Sequence, residues 1–209
     1  MTIAVQITHV PWLPDRRANV TRMVRQIKAW APEVPVGVSE DKGWRDVWQT
    51  VRLAMMRQSK TPTDHLLILA DDFRFHHRSF SELQRAVDSR PDQLIQPFAI
   101  RSQFIGAPEA WGVTDMVWGS ALLWPVELIP DFLRWVQEFV DPAYPGDDMR
   151  VRAWLAYHRR SNYLTNPSLF DHMDREFPSV IGNRTPLPRV ARTVRRPYGA
   201  VEWDETQVF

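Results

Sequence analysis

Two acidic pairs and one histidine are the residues of this chain best suited to chemistry. Asp71 and Asp72 end the run HLLILADD at 65–72, Asp147 and Asp148 follow Pro145-Gly146, and His172 closes NPSLFDH at 166–172. Neighbouring carboxylates repel each other, so a cleft that holds both calls for a cation or a hydrogen-bond donor beside them. A hard divalent ion, magnesium or manganese, meets that need because it prefers oxygen ligands and can bridge a diphosphate. The same pair equally suits a strand-terminating turn in which the aspartates cap the next segment. His172 is one of six histidines, and a lone histidine is more often packed or solvated than a ligand. For Asp147 and Asp148 the choice lies between capping a helix and acting as the general base that deprotonates an acceptor hydroxyl.

These side chains need elements to position them, and hydrophobic patterning supplies the elements. Residues 2–10 read as a buried strand, 11–15 as a proline-rich loop, and 18–30 as a helix with a stripe of Val20, Met23, Val24 and Ile27. A strand over 34–38 and a helix over 44–58 repeat the pattern. The apolar run from 65 suits a central parallel strand buried on both faces, and parallel sheets bind ligands beyond the carboxyl ends of their strands. Asp71 and Asp72 then stand where a ligand is expected. A helix over 79–89, a strand over 93–101, an irregular strand-rich section over 111–124, and helices over 125–140 and 147–158 complete the order. Alternating strands and helices followed by a mixed section predict an α/β fold with a mostly parallel central sheet flanked by helices.

Composition narrows the classes further. A chain of 209 residues with 44% hydrophobic content can bury one sizeable core, so one domain over 1–209 is expected. The absence of cysteine removes disulfides, thiolate metal sites and thiol nucleophiles, and it fits the cytoplasm. No run reaches the roughly eighteen apolar residues of a membrane span, and no leader pattern opens the chain, so no membrane partner is expected. A net charge of +1 excludes a protein that wraps nucleic acid by overall charge, yet the segment 183–209 gathers Arg184, Arg189, Arg192, Arg195 and Arg196 among prolines. That segment reads either as a solvated tail or as a phosphate-contacting one. The ten tryptophans are scattered, which suits core and cleft lining better than a stacking platform.

The stretches ITHVPWLPDR, VGVSEDKGWRDVW, LLILADDFRF, WGSALLWPVELIPDFLRW, YPGDDMRVRAWL and NPSLFDHMDREFPSVIG together resemble small phage-type GT-A glycosyltransferases. The resemblance spans most of the chain. It implies a GT-A, Rossmann-like fold that binds a nucleotide sugar, most commonly a UDP-sugar, with manganese or magnesium as cofactor. Asp72 would contact the metal, Asp71 would lie near the donor's ribose or the metal's water shell, and His172 would complete the metal site. Thr8, His9, Val10, Asp41 and Trp44 would hold the nucleoside, and Arg184 would reach the diphosphate. Asp148, with Asp147 second, would face the acceptor as base. One departure is that the usual Asp-x-Asp pattern would place a carboxylate at position 70, where this chain has Ala70.

Within that group the chain is most similar to bacteriophage enzymes that glycosylate hydroxymethylpyrimidines in DNA, including those found beside TET-type oxygenases. This implies 5-hydroxymethylcytosine in DNA as acceptor, with Arg192, Arg195 and Arg196 on backbone phosphates. A glycan or surface carbohydrate acceptor, and a non-catalytic nucleotide- or DNA-binding module, remain the alternatives.

Overall fold

The computed structural model describes residues 1–43, 47–58, 62–98, 111–114, 117, 119, 121–144, 146–165, 168–173 and 177. In chain order the elements are β1 (Ile3–His9), α1 (Pro14–Trp30), β2 (Val36–Glu40), α2 (Val47–Gln58), β3 (His65–Ala70), β4 (Phe73–Phe75) and α3 (Ser79–Ser89). They continue with β5 (Leu94–Gln96), β6 (Trp111–Thr114), β7 (Ala121–Pro125), a 3-10 turn, α4 (Ile129–Phe139), α5 (Asp147–Tyr157), β8 (Asn162–Thr165) and β9 (Phe170–His172). Two of the boundaries that differ from the sequence reading do so for reasons of proline chemistry. The helix α1 begins at Pro14 rather than at 18, because a proline at the first helical position has no amide hydrogen to leave unpaired. The strand β2 begins at Val36 rather than at 34; Pro35 cannot donate to the ladder and contributes only its carbonyl, which accepts from the Val5 amide at 2.8 Å.

Seven strands form one sheet in the order β2-β1-β3-β7-β5-β8-β6. Parallel pairing of β1 with β2 and β3, and of β5 with β8, together with antiparallel pairing of β7 and β6, leaves five of the seven strands running one way. The sheet is therefore mostly parallel, as the alternating pattern requires, with β7 reversed inside it. The interior strand β3 buries both faces. Leu67 and Leu69 join Val5 and Ile7 of β1 against Met23 and Ile27 of α1 and Leu83 and Val87 of α3. Leu66 and Ile68 point the other way, against Val51 and Met55 of α2, Phe132 of α4 and Val151 and Trp154 of α5. Each fully buried aliphatic side chain contributes about 1.5–3 kcal/mol relative to exposure, so the two cores fix the helices on both faces. Trp48, Trp124, Trp135 and Trp154 are all buried; they fill the second core, with Trp124 and Trp154 centroids 5.8 Å apart.

The arrangement gathers several chain segments at one sheet edge. β1, β2 and β3 end side by side, with Thr8 opposite Ala70 and His9 opposite Glu40. Because β7 runs the other way, its first residue Ala121 pairs with Leu69, which brings the chain just before it to the same edge. A separate two-stranded ribbon of β4 and β9 sets His172 opposite Phe73. Among the described residues, no helix is long and apolar enough to cross a membrane.

Candidate functional site

The two aspartates after β3 have different surroundings. Asp71 is 1% exposed and lends both carboxylate oxygens to protein donors. Its Oδ2 accepts from His9 Nδ1 at 2.8 Å and from the Val10 amide at 2.8 Å, and its Oδ1 accepts from Arg16 Nη1. Asp71 thus ties the β1 exit to the start of α1. Asp72 receives the other guanidinium nitrogen, Arg16 Nη2, on Oδ2 at 2.9 Å, and His172 Nε2 lies 3.3 Å from the same oxygen. Its Oδ1 is buried and has no hydrogen-bond partner among the described residues. An orphaned buried carboxylate oxygen is costly unless something fills it.

Arg16 is the cation that two adjacent carboxylates demand. It is 4% exposed, and its charge is retained: burial works against it, but Asp72 and Asp71 outweigh burial and hold the guanidinium above its ordinary range. Asn19, one turn further along α1, donates through Nδ2 to the carbonyls of Asp71 at 2.8 Å and Phe73 at 3.1 Å, fixing the turn that carries both aspartates. The sequence reading does not single out Arg16 or Asn19. The available signal was that both lie on the buried stripe of α1, in register with Met23 and Ile27, where a solvated polar residue does not belong.

His172 is held by the ribbon. The Met173 amide donates to the Asp72 carbonyl at 2.8 Å, while Arg74 of β4 clasps Asp171 of β9 through Nε and Nη2, each at 2.7 Å. Its ring stacks on Phe98 and meets Phe73 edge-on. Asp72 and His172, far apart in sequence, are therefore brought together. Two ligands that share one octahedral magnesium-sized ion stand about 3 Å apart, close to the 3.3 Å seen here. A divalent ion here would have Asp72 and His172 as its protein ligands; the 3.3 Å spacing is to Oδ2, the oxygen that also takes Arg16 Nη2, and Oδ1 is the unfilled one. Among the described residues, no group of three or more His, Asp or Glu side chains is disposed to hold a metal.

The remaining expected donor residues cluster at the same edge. Asp41 is buried beyond β2; its amide donates to the His9 carbonyl at 2.8 Å, and its Oδ1 accepts from the Gly43 amide at 2.9 Å. Thr8 and Val10 are half-buried on either side of His9. The expectations placed on Trp44, Arg184, Arg192, Arg195 and Arg196 lie outside the described residues.

The second acidic pair opens α5 and splits in the same manner. Asp148 is half-buried, with Oδ1 accepting from the Met149 amide of its own helix at 2.8 Å. Asp147 is buried and its carboxyl is pushed up to about 6 by burial and then by the charge of Asp148, against backbone hydrogen bonds and Arg150. Its carboxylate rests on Gly119. A Cβ at Gly119 would stand 2.3 Å from Asp147 Oδ2, so only glycine permits this approach. Gly119 lies two positions before Ala121, the first residue of β7, which pairs with Leu69 near the end of β3, so Asp147 stands toward the end of the sheet that carries Asp71 and Asp72.

A mostly parallel sheet flanked by helices, with acidic residues at the carboxyl ends of its first strands, is an α/β fold of the kind that binds ligands beyond those strand ends, and its likeness to solved glycosyltransferases is to the GT-A fold. Solved structures share it. One is a glycosyltransferase involved in the glycosylation of the major capsid of PBCV-1, with TM-score 0.55 at 14% identity, covering 83% of this chain and 94% of that one. Another is S. aureus TarS 1-349 in complex with UDP-GlcNAc, with TM-score 0.50 at 8% identity, covering 86% of this chain and 62% of that one. At such identities the likeness is one of fold. No protein-family model matches the chain, and no curated protein sequence matches it either.

Proposed function

We propose that this chain is a metal-dependent glycosyltransferase that moves a sugar from a nucleotide-sugar donor to an acceptor hydroxyl. The observation that carries the reading is the site at the carboxyl end of β3, where Asp72 has a buried unfilled oxygen, Oδ1, and meets through its other oxygen, Oδ2, at 3.3 Å, a histidine brought in by a separate ribbon. Support for the donor comes from the fold, which is shared with a protein solved with UDP-GlcNAc. Asp72 and His172 would hold manganese or magnesium, which when bound supplies positive charge beside the departing diphosphate. His9, Val10, Thr8 and Asp41 line the edge where the nucleoside would lie; Asp71 holds that loop in shape through His9 and Val10. Asp147 is the better placed of the second pair to take the acceptor's proton. It rests on Gly119 with a carboxyl at about 6, near the working pH where general bases are most effective, whereas Asp148 turns back onto its own helix.

For the acceptor we propose a hydroxymethyl group on 5-hydroxymethylcytosine in DNA. This rests on the resemblance of the sequence stretches quoted above and on the arginines of 184–196. A glycan acceptor is favoured instead by the capsid glycosylation attributed to one fold neighbour. The deciding experiment incubates 5-hydroxymethylcytosine-containing DNA with the protein, manganese and a panel of nucleotide sugars, then weighs the released nucleosides. The expected outcome is a sugar-sized mass increase that disappears in Asp72→Ala. Metal-stimulated hydrolysis of a nucleotide sugar without modified DNA would move the acceptor to a glycan, and silence in both assays would overturn the enzyme reading.

A further inference from the structure

Arg16 occupies the place where electrostatics alone would put the metal's partner charge. One guanidinium spans the two aspartates, Nη1 to Asp71 and Nη2 to Asp72, the latter at 2.9 Å, and it is 4% exposed with the Phe177 ring 5.8 Å away. A planar fork of this kind matches carboxylates and phosphates equally well. Asp72 therefore has its negative charge already committed on one oxygen while the other stays unfilled. A divalent ion that arrives alone meets a carboxylate shared with a guanidinium and is repelled by that guanidinium. A nucleotide diphosphate that arrives with it brings oxygens to which Arg16 can turn.

We infer that Arg16 gates the metal site: it competes with divalent metal for Asp72 in the empty enzyme and exchanges that carboxylate for the donor's diphosphate on loading. The inference rests on the metal site proposed above, and it makes metal and nucleotide binding mutually dependent by more than the phosphate oxygens alone contribute. By reciprocity, whatever factor the nucleotide adds to metal affinity, the metal adds to nucleotide affinity.

The test measures manganese binding by electron paramagnetic resonance on the full chain, with and without UDP. In Arg16→Gln, manganese alone should bind about tenfold more tightly than in the parent protein, and the enhancement brought by UDP should shrink by a similar factor. Removing a buried counter-cation can prevent folding, so Arg16→Lys serves as the second variant. Its ammonium keeps one charge for the pair but lacks the fork that holds both carboxylates, and a rise of about threefold is expected. Mere damage to the site would weaken metal binding, so a gain in affinity is not a structural side effect. Equal manganese affinity in the parent and in whichever Arg16 variants fold would overturn the gate while leaving the metal site standing. Absence of manganese binding in every folded form, with and without UDP, would overturn the metal site itself and the gate with it.

Discussion

Burial and the charge of Asp148 push the Asp147 carboxyl up to about 6, and the shift ties stability and activity to one proton. An ordinary exposed aspartate carboxyl titrates near 3.8, so between the two values the folded state binds a proton that the unfolded state does not. Stability is therefore greatest with the proton on and falls as pH rises from about 4 to about 6, by about 3 kcal/mol for a shift of this size. Asp147→Asn should remove that slope. Urea unfolding at pH 4.5 and pH 7.5 is expected to show the variant more stable than the parent by about 1–3 kcal/mol at the higher pH and nearly level with it at the lower. If Asp147 is the base, the same variant loses roughly a hundredfold or more in kcat, and the parent's activity falls as pH drops below about 6. A variant that gains stability and keeps its activity would return the base to Asp148.

At the scale of elements, one helix face does two jobs. The lower part of the α1 stripe, Met23 and Ile27, packs in the core, while its first turns present Arg16 and Asn19 to the aspartates. Asn19→Ala would leave the buried carbonyls of Asp71 and Phe73 without the donor that now serves both. We expect a loss of about 1–3 kcal/mol, read as a lower urea midpoint, whereas Thr21→Ala on the exposed side of the same helix should stay within about 0.5 kcal/mol. This division explains what could be read from the sequence. Long apolar runs such as 65–70 announce themselves as strands, and a carboxylate at the end of a parallel strand is a sound ligand candidate wherever it occurs. The three-residue strands β4 and β9 carry too little periodicity to be seen, yet their ribbon is what delivers His172 to Asp72. Asp71 and Asp72 look alike in a sequence; their separation into a loop anchor and a carboxylate with one unfilled oxygen depends on Arg16 and His9, contacts across more than fifty residues. The proposal that puts Asp147 before Asp148 depends likewise on Gly119, which no local pattern connects to either.

For the whole molecule the open choice is between DNA and glycan acceptors, and charge distribution gives it a measurable form. A protein of net charge +1 gains little from overall attraction to a polyanion, so affinity for duplex DNA must come from locally gathered cations. Arg184, Arg189, Arg192, Arg195 and Arg196 are such a gathering within thirteen positions of sequence, 184–196. Each arginine that neutralises a phosphate releases counterions and adds about 0.9 to the steepness with which binding falls on a log–log plot against salt. Replacing Arg192, Arg195 and Arg196 together by alanine should lower that steepness by about 3, weaken binding evenly across DNA sequences, and leave manganese-stimulated nucleotide-sugar hydrolysis at the parent level. Fluorescence anisotropy with a short labelled duplex at several salt concentrations measures the first two effects. A parent protein whose DNA binding is absent, or insensitive to these three arginines, would take the acceptor away from DNA while leaving the donor site at the carboxyl edge of the sheet intact. The two halves of the proposed reaction thus fail or stand separately, because donor and metal are assigned to β1, β3 and the ribbon, and DNA only to the arginines beyond them.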